Sequence, residues 1–238
     1  MRSDLFKAEN TAQPPTQAGM SLQHKKCVKY AVNGEMMAKQ GAMIAYRGNI
    51  RMETKGQGAA NFLKRAVTGE GVALMKVSGQ GEIWFADTAA ECFIMNLDQN
   101  DQLSINGRNV LCFDPTLRYD IQMVKGAGMV GGGLFNCTFS GQGNLAIISE
   151  GDPLVIPVSP QMPVYVDTDA VIGWSSQLQS SIVRSEGLKS MLKGGSGEMF
   201  QMCLQGNGFV LVQPSEGPKV PAAQKSSGGG MLGSMLSG

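Results

Sequence analysis

A short motif with two glycines occurs three times along the chain, and an apolar run follows it each time. It is SGQGEIWF at 78–85, SGQGNLAI at 140–147 and QGNGFVLV at 205–212, and the first glycines are 62 and 65 residues apart. An internal repeat constrains the architecture more than any local feature, because a unit of about 60 residues buries too little apolar area unless it packs on its copies. Each glycine pair is predicted to form a turn between two strands, in which glycine supplies a positive φ. The six turn positions are Gly79, Gly81, Gly141, Gly143, Gly206 and Gly208.

A second feature recurs before each glycine pair. The segments 35–48, 101–114 and 162–175 each have a pattern of strand, turn and strand, with the turn residues KQG, NGR and DTD. Each contains an apolar residue ten places before an aromatic one. The pairs are Met36 with Tyr46, Leu103 with Phe113, and Val164 with Trp174. We predict that the three aromatic residues are equivalent core positions.

These patterns predict an all-β fold of three tandem, β-sandwich-like repeats around a pseudo-threefold axis. The repeats span about 27–90, 91–153 and 154–217 and form one domain, in which 60–67 and 186–193 are candidates for short helices. The 32 glycines agree with a turn-rich β protein, since glycine weakens helices. Coincidence among glycine-rich hairpins is the alternative to a true repeat.

The two ends of the chain differ from the repeats in composition. Residues 1–26 are predicted to be a lead-in, and 218–238 a flexible linker rich in Pro, Ser and Gly that ends in a short apolar tail. Four apolar side chains of this tail would share one helical face on a partner: Met231, Leu232, Met235 and Leu236. The alternative is a disordered tail without a function.

The candidates for chemistry are few. A phosphate loop at Gly79 to Gly81 would need a following helix or a Gly-Lys-Ser/Thr ending, and the β-type segment EIWFAD follows instead. His24 is the single histidine and lies in the lead-in, which argues against metal and Ser-His-Asp sites. Asp167 and Asp169 flank a turn, where Asp commonly forms local hydrogen bonds. The sequence predicts no catalytic residue, no cofactor and no metal.

The cysteines and the charge indicate the surroundings of the protein. Five scattered cysteines without a CxxC pair predict buried free thiols in a reducing compartment. The net charge is +1, and the small basic clusters around Lys25 and Lys64 are more typical of a solvated face than of nucleic-acid binding. No apolar run reaches the length of a membrane span or resembles a signal peptide. We expect a cytoplasmic protein, and peripheral association with a membrane stays open.

The motifs together resemble the family named for altered inheritance of mitochondria, whose bacterial members form a domain of unknown function. The resemblance covers about residues 20–215 and depends on the segments GEMMAKQGAMIAYRG, GEGVALMKVSGQGEIWFAD, FSGQGNLAI and GNGFVLV. It implies three fused β units similar to the subunit of the tryptophan-RNA-binding attenuation protein, and it implies no catalytic residues. The mitochondrial members are linked to inner-membrane organisation, whereas this chain shows no transit peptide.

We therefore expect a non-enzymatic structural or scaffolding protein that binds itself as a homo-oligomer and also binds an unidentified protein partner. The alternative is a binding module for RNA or a small ligand, which is supported only by analogy with the attenuation-protein fold. Nucleic acid is the less favoured partner, because the chain is almost neutral.

Overall fold

The computed structural model describes residues 3, 7–12, 18–54, 73–124, 135–184 and 200–215. These residues form sixteen strands and two short 3-10 helices, Ala8–Asn10 and Gly107–Asn109, which confirms the predicted all-β class. The strands are β1 (Gly19–His24), β2 (Cys27–Lys39), β3 (Met43–Thr54), β4 (Leu74–Phe85), β5 (Glu91–Leu97), β6 (Gln102–Asn106), β7 (Val110–Phe113), β8 (Arg118–Met123), β9 (Phe135–Ser140), β10 (Gly143–Ser149), β11 (Leu154–Val158), β12 (Val164–Asp167), β13 (Val171–Ser175), β14 (Gln179–Arg184), β15 (Phe200–Gln205) and β16 (Gly208–Val212). The predicted helices at 60–67 and 186–193 and the tail at 218–238 lie outside the described residues.

The strands form three sheets in which the described pairs are antiparallel. The first sheet has the order β3-β4-β2-β7-β10-β5, with β1 paired to β2; the second is β11-β16-β13-β6-β9-β8, and the third is β12-β15-β14. β5 and β11 begin at Glu91 and Leu154, where the second and third units were predicted to begin. The second unit contributes to the first and second sheets, and the third unit to the second and third. Neighbouring units are therefore joined by shared sheets.

The prediction that residues 1–26 only lead into the fold is wrong for residues 19–24. They form β1, which pairs with β2 from Gly19 opposite Ala31 to His24 opposite Cys27. The lysine-rich turn between these strands concealed the pairing, because its charges resemble those of a solvated arm. β1 is thus a strand of the first sheet.

The glycine positions of the second and third motifs agree in part with the prediction. Gly141 and Gly206 lie at turns with φ of +100° and +121°. These turns carry the chain from the second sheet into the first and from the third into the second. Gly143 and Gly208 begin the strands that follow, and neither has a positive φ. In the second and third motifs, therefore, only the first glycine of the pair is required by the conformation of the turn.

The turn prediction is wrong for Gly79 and Gly81. Both lie inside β4, which continues through the motif and pairs with β2 and β3 along its length. Their φ angles are +124° and +154°. A Cβ atom would lie 2.0 Å from the Asn49 carbonyl oxygen at the first position and 2.1 Å from that of Arg47 at the second. Glycine is required here because β3 approaches the β4 backbone too closely for a side chain.

The three aromatic residues occupy corresponding places in the strand pairing. In each unit the aromatic residue lies opposite an apolar residue two places after the second glycine: Tyr46 opposite Ile83, Phe113 opposite Leu145, and Trp174 opposite Val210. In each pairing the register also shifts two places before the aromatic residue. The predicted relation of the units by a threefold axis stays a prediction.

Burial of the aromatic residues differs between the units. Phe113 and Trp174 are buried, at 0% and 4% exposure, whereas Tyr46 is 48% exposed. β7 and β13 are interior strands of their sheets, but β3 is an edge strand and has a neighbour on one side only. The prediction that Tyr46 is a core residue is therefore wrong.

Candidate functional site

The turns that were predicted inside the three repeats meet at one place. Lys39 ends β2, and its Nζ atom donates to Oδ2 of Asp87 at 2.5 Å and to the backbone oxygen of Arg108 at 2.9 Å. Arg108, from the second turn, forms hydrogen bonds with both the backbone oxygen and the carboxylate of Asp169 in the third. Residues of three units are thus connected through two basic side chains.

A second set of contacts at this junction involves amide side chains. Asn109 is 3% exposed and donates from Nδ2 to the Ile148 backbone oxygen at 2.9 Å and to Oε1 of Gln213 at 3.2 Å. Gln213 is also buried, and its Oε1 atom accepts from the Glu150 backbone N–H at 3.3 Å. The end of the third unit is therefore held against the second by buried polar contacts.

A cavity of about 470 Å³ opens at this junction, and we name it the junction cavity. Its described lining residues are Lys39, Asp87, Thr88, Ala90, Arg108, Asn109, Ile148, Ser149, Glu150 and Gln213. Three buried atoms here have no hydrogen-bond partner: Arg108 Nε, Asn109 Oδ1 and Ser149 Oγ. Thr88 and the adjacent Ala89 have φ of +47° and +57°, a conformation that non-glycine residues rarely adopt.

The chemistry available in the junction cavity is limited, because its charged side chains are already paired with other residues. The four charged lining residues comprise two bases and two acids. Lys39 is paired with Asp87, Arg108 with Asp169, and Glu150 accepts a hydrogen bond from Ser215. The described lining contains neither a histidine nor a cysteine. The sequence indicated the turns but not their meeting point, because convergence depends on the sheet order.

Four large apolar side chains are more than half exposed along residues 154–165, and we name them the apolar ridge. They are Leu154 at 60%, Val155 at 56%, Met162 at 69% and Tyr165 at 58%. β11 and β12, which carry three of them, are edge strands of the second and third sheets, and a bridge between Ser159 and Met162 connects the strands. The sequence carries a signal of this surface, because residues 153–166 include no charged residue.

The predicted basic cluster at residues 24–29 is largely neutralised. Lys25 forms ion pairs with Glu91 at 2.8 Å and Asp152 at 3.0 Å. Hydrogen bonds to these two carboxylates raise the pKa of Lys25, and the bond from Lys25 lowers the pKa of Asp152. Lys29 is only 5% exposed and lies 3.7 Å from Oε1 of Glu82. Its ammonium group is therefore not presented on the surface.

The other residues considered from the sequence have structural surroundings. All five cysteines are free and buried, as predicted. His24 ends β1, and its Nδ1 atom accepts from the Lys26 backbone N–H at 3.2 Å. Asp167 accepts from the backbone N–H of Asp169 at 2.7 Å, as expected of a turn. The tail residues Met231, Leu232, Met235 and Leu236 lie outside the described residues.

The described ranges contain neither a candidate metal site nor a candidate membrane span. No group of three or more His, Cys, Asp or Glu residues in them could hold a metal ion. The same residues contain no helix with the length and apolar character of a membrane span.

Comparisons with known proteins agree with the fold. In Streptococcus pyogenes serotype M6, the uncharacterized protein M6_Spy0233 is 25% identical over 194 residues, which cover 76% of this chain and 77% of that protein. The X-ray structure of protein SPYM3_0169 from Streptococcus pyogenes has a TM-score of 0.64 at 22% identity and covers 83% of this chain and 92% of that one. A protein-family profile described as Mitochondrial biogenesis AIM24 matches residues 22–215. This match confirms the family resemblance predicted from the motifs, and the chain belongs to the Mitochondrial biogenesis AIM24 family.

Proposed function

We propose that this protein is a non-enzymatic interaction protein that assembles with copies of itself through the apolar ridge. The observation that supports this proposal most is that four large apolar side chains within residues 154–165 are each more than half exposed. Single exposed apolar residues are ordinary on soluble proteins, whereas several of them along one uncharged stretch at a sheet edge favour a contact surface. A second copy of the chain is the partner to which we commit.

The composition of the ridge supports contact between identical surfaces. In a twofold dimer the same patch faces itself, so a charged patch would repel its copy. Residues 153–166 contain no charged side chain, and the whole chain has a net charge of only +1. Neither local nor overall repulsion opposes self-association.

A proline between the residues of the apolar ridge favours packing of side chains over pairing of β11 with a strand of a second copy. Pro157 lies inside β11, where it pairs with Phe209 of β16. Proline has no backbone N–H, and it protects the edge of a sheet from the addition of another strand. We therefore propose that Leu154, Val155, Met162 and Tyr165 pack against their counterparts.

The proposal extends to a reducing compartment such as the cytoplasm. Five buried thiols without a disulfide support it, because oxidising compartments favour disulfides.

Light scattering coupled to size exclusion tests the assembly. We expect a mass above the 25.2 kDa of one chain that rises with concentration. The double variant Leu154→Lys/Met162→Lys should elute at the mass of one chain, because opposed lysines repel and their burial is costly. Leu22→Lys is the matched control, since Leu22 is exposed but lies on β1; it should leave the mass unchanged.

Two results would contradict the proposal. One is a wild-type protein that keeps the mass of a single chain at the highest attainable concentration. The other is an assembly that persists in the double variant, which would place the contact elsewhere. Circular dichroism of both variants shows whether the fold is retained.

A further inference from the structure

One face of the second sheet is polar although much of it is buried. Ser104 on β6 lies opposite Trp174 of β13 on one side and Thr138 of β9 on the other. Asn136, two residues before Thr138, lies opposite Gln122 of β8. Side chains two residues apart on a strand share a face. These five residues therefore share one face of the sheet with Asp120, which lies opposite Thr138. The other face carries core residues that include Leu103, Ile105 and Phe139.

Two buried atoms beside this surface have no partner. Asn136 is 3% exposed; its Nδ2 atom donates to Ser104 Oγ at 3.0 Å, but its Oδ1 atom accepts no hydrogen bond. The hydroxyl of Ser176 is also buried without a partner. A buried polar atom that is left without a partner lowers stability, because it has lost its hydrogen bonds to water. A molecule that reaches both atoms would remove this cost.

A cavity of about 540 Å³ lies over the polar surface, and we name it the polar cleft. Among the described residues ten line it: seven carry a hydroxyl or a carboxamide, three are apolar, and none is charged. The apolar ones are Val124, Trp174 and Leu178. The volume falls in the range of about 300–1,000 Å³ that is typical of small-molecule sites.

We infer that the polar cleft binds a neutral, polyhydroxylated small molecule, a sugar or a polyol. Hydroxyl groups both donate and accept, so one molecule can donate to Asn136 Oδ1 and bond to Ser176 Oγ. Its C–H groups would contact the apolar residues on the cleft wall. This inference does not depend on self-assembly through the apolar ridge.

The absence of charge on the described lining of the cleft selects the class of ligand. An anion would lose its hydration there without meeting a positive charge on the described lining. The carboxylate of Asp120 beside the lining already accepts a hydrogen bond from Gln122 Nε2 at 2.6 Å, and its negative charge disfavours an anion further. The junction cavity differs in this respect, since its described lining includes Lys39, Asp87, Arg108 and Glu150. A nucleic acid would require basic residues beside its phosphates, and no lysine or arginine is among the ten lining residues.

Isothermal titration calorimetry with D-glucose, N-acetylglucosamine and myo-inositol tests the inference on the full chain, with inorganic phosphate as the charged comparison. We expect at least one neutral probe to bind and phosphate not to bind. Trp84→Phe leaves Trp174 as the only tryptophan, so its emission should change when the probe enters the cleft. Calorimetry on the wild type gives the same answer should this variant fold poorly.

Variants locate the site. Ser176→Ala should weaken binding about tenfold, the effect of one lost hydrogen bond of about 1.4 kcal/mol. Gln122→Ala, at an exposed position of the cleft, should also weaken it. Ser149→Ala is the control, because it removes an unpartnered buried hydroxyl from the junction cavity instead. The inference is overturned by a lack of binding of all three neutral probes, by tighter binding of phosphate, or by equal losses in S149A and S176A.

Discussion

The hydroxyl of Tyr30 on β2 donates a hydrogen bond of 2.8 Å to Oδ1 of Asp114, the residue after β7. The second oxygen of this carboxylate accepts from the backbone N–H and the side-chain amide of Asn144, at 2.8 and 2.9 Å. Burial and the hydrogen bond to Asp114 raise the pKa of Tyr30 above its ordinary value, so the hydroxyl stays a donor at neutral pH. One carboxylate thus connects the first unit with two strands of the second.

Tyr30→Phe should lower the free energy of unfolding by about 1–2 kcal/mol, because the carboxylate loses one of its donors at a largely buried site. Urea denaturation measures the change. Tyr46→Phe is the matched control: this ring is 48% exposed, and its change should stay within about 0.5 kcal/mol. Equal losses in the two variants would show that the Tyr30 hydroxyl does not stabilise the contact between units.

The paired strands β2 and β4 offer two glycines for comparison, since Gly34 of β2 lies opposite Gly79 of β4. Gly79→Ala should cost more than about 3 kcal/mol, because its Cβ atom would clash with the Asn49 carbonyl oxygen. Gly34 also has a positive φ, +113°, but a Cβ atom there meets nothing within 4 Å. Gly34→Ala should therefore cost only the backbone strain, about 1–2 kcal/mol. Similar losses in both variants, measured by thermal unfolding, would contradict close approach of β3 as the reason for the glycine.

The buried thiols should make the protein sensitive to alkaline pH. Burial raises the pKa of Cys92 to about 11 and that of Cys137 to about 12, whereas a thiol in the unfolded chain titrates near 8.5. The unfolded chain therefore releases these protons at a lower pH than the folded one. The contribution of the thiols to stability is complete below about pH 8.5 and is lost as pH rises toward 11 and 12.

Cysteine-to-alanine substitution isolates this effect. Cys137→Ala should reduce the slope of unfolding free energy against pH by about 1.4 kcal/mol per pH unit above pH 9. The slope is compared after the free energy of unfolding of each protein is set relative to its own value at neutral pH, because the cavity left by the sulfur lowers the stability of the variant at every pH. An unchanged slope would show that this thiol does not titrate differently in the two states.

The sequence pattern predicted equivalent strand positions in the three units, but neither the pairing of consecutive strands nor their burial. β2 and β3 are separated by β4, and β6 and β7 lie in different sheets. Glycine and aromatic positions that were aligned by spacing do occupy corresponding registers, because spacing along strands is set by the local sequence. Whether a strand is interior or at an edge depends on which strands of other units join its sheet. Tyr46 on edge strand β3 and Phe113 on interior strand β7 therefore differ in exposure despite their equivalent spacing.

The candidate sites were less accessible to sequence reasoning. The junction cavity brings together Lys39, Arg108 and Gln213, which are far apart along the chain. Lys39 and Arg108 belong to equivalent predicted turns, but the spacing of those turns does not show that they converge. The polar cleft depends on the register of four strands of the second sheet. The apolar ridge is the exception, because its uncharged stretch at 153–166 is visible in the sequence.

Because neighbouring units share sheets, the chain cannot be cut between two units without separating strands that pair. β16, at the end of the third unit, lies between β11 and β13, and β13 pairs with β6 of the second unit. A cut before β11 would thus leave a fragment whose β13 still needs β6 to complete the second sheet. Two fragments divided there should reassemble by complementation, and neither should fold as an independent module.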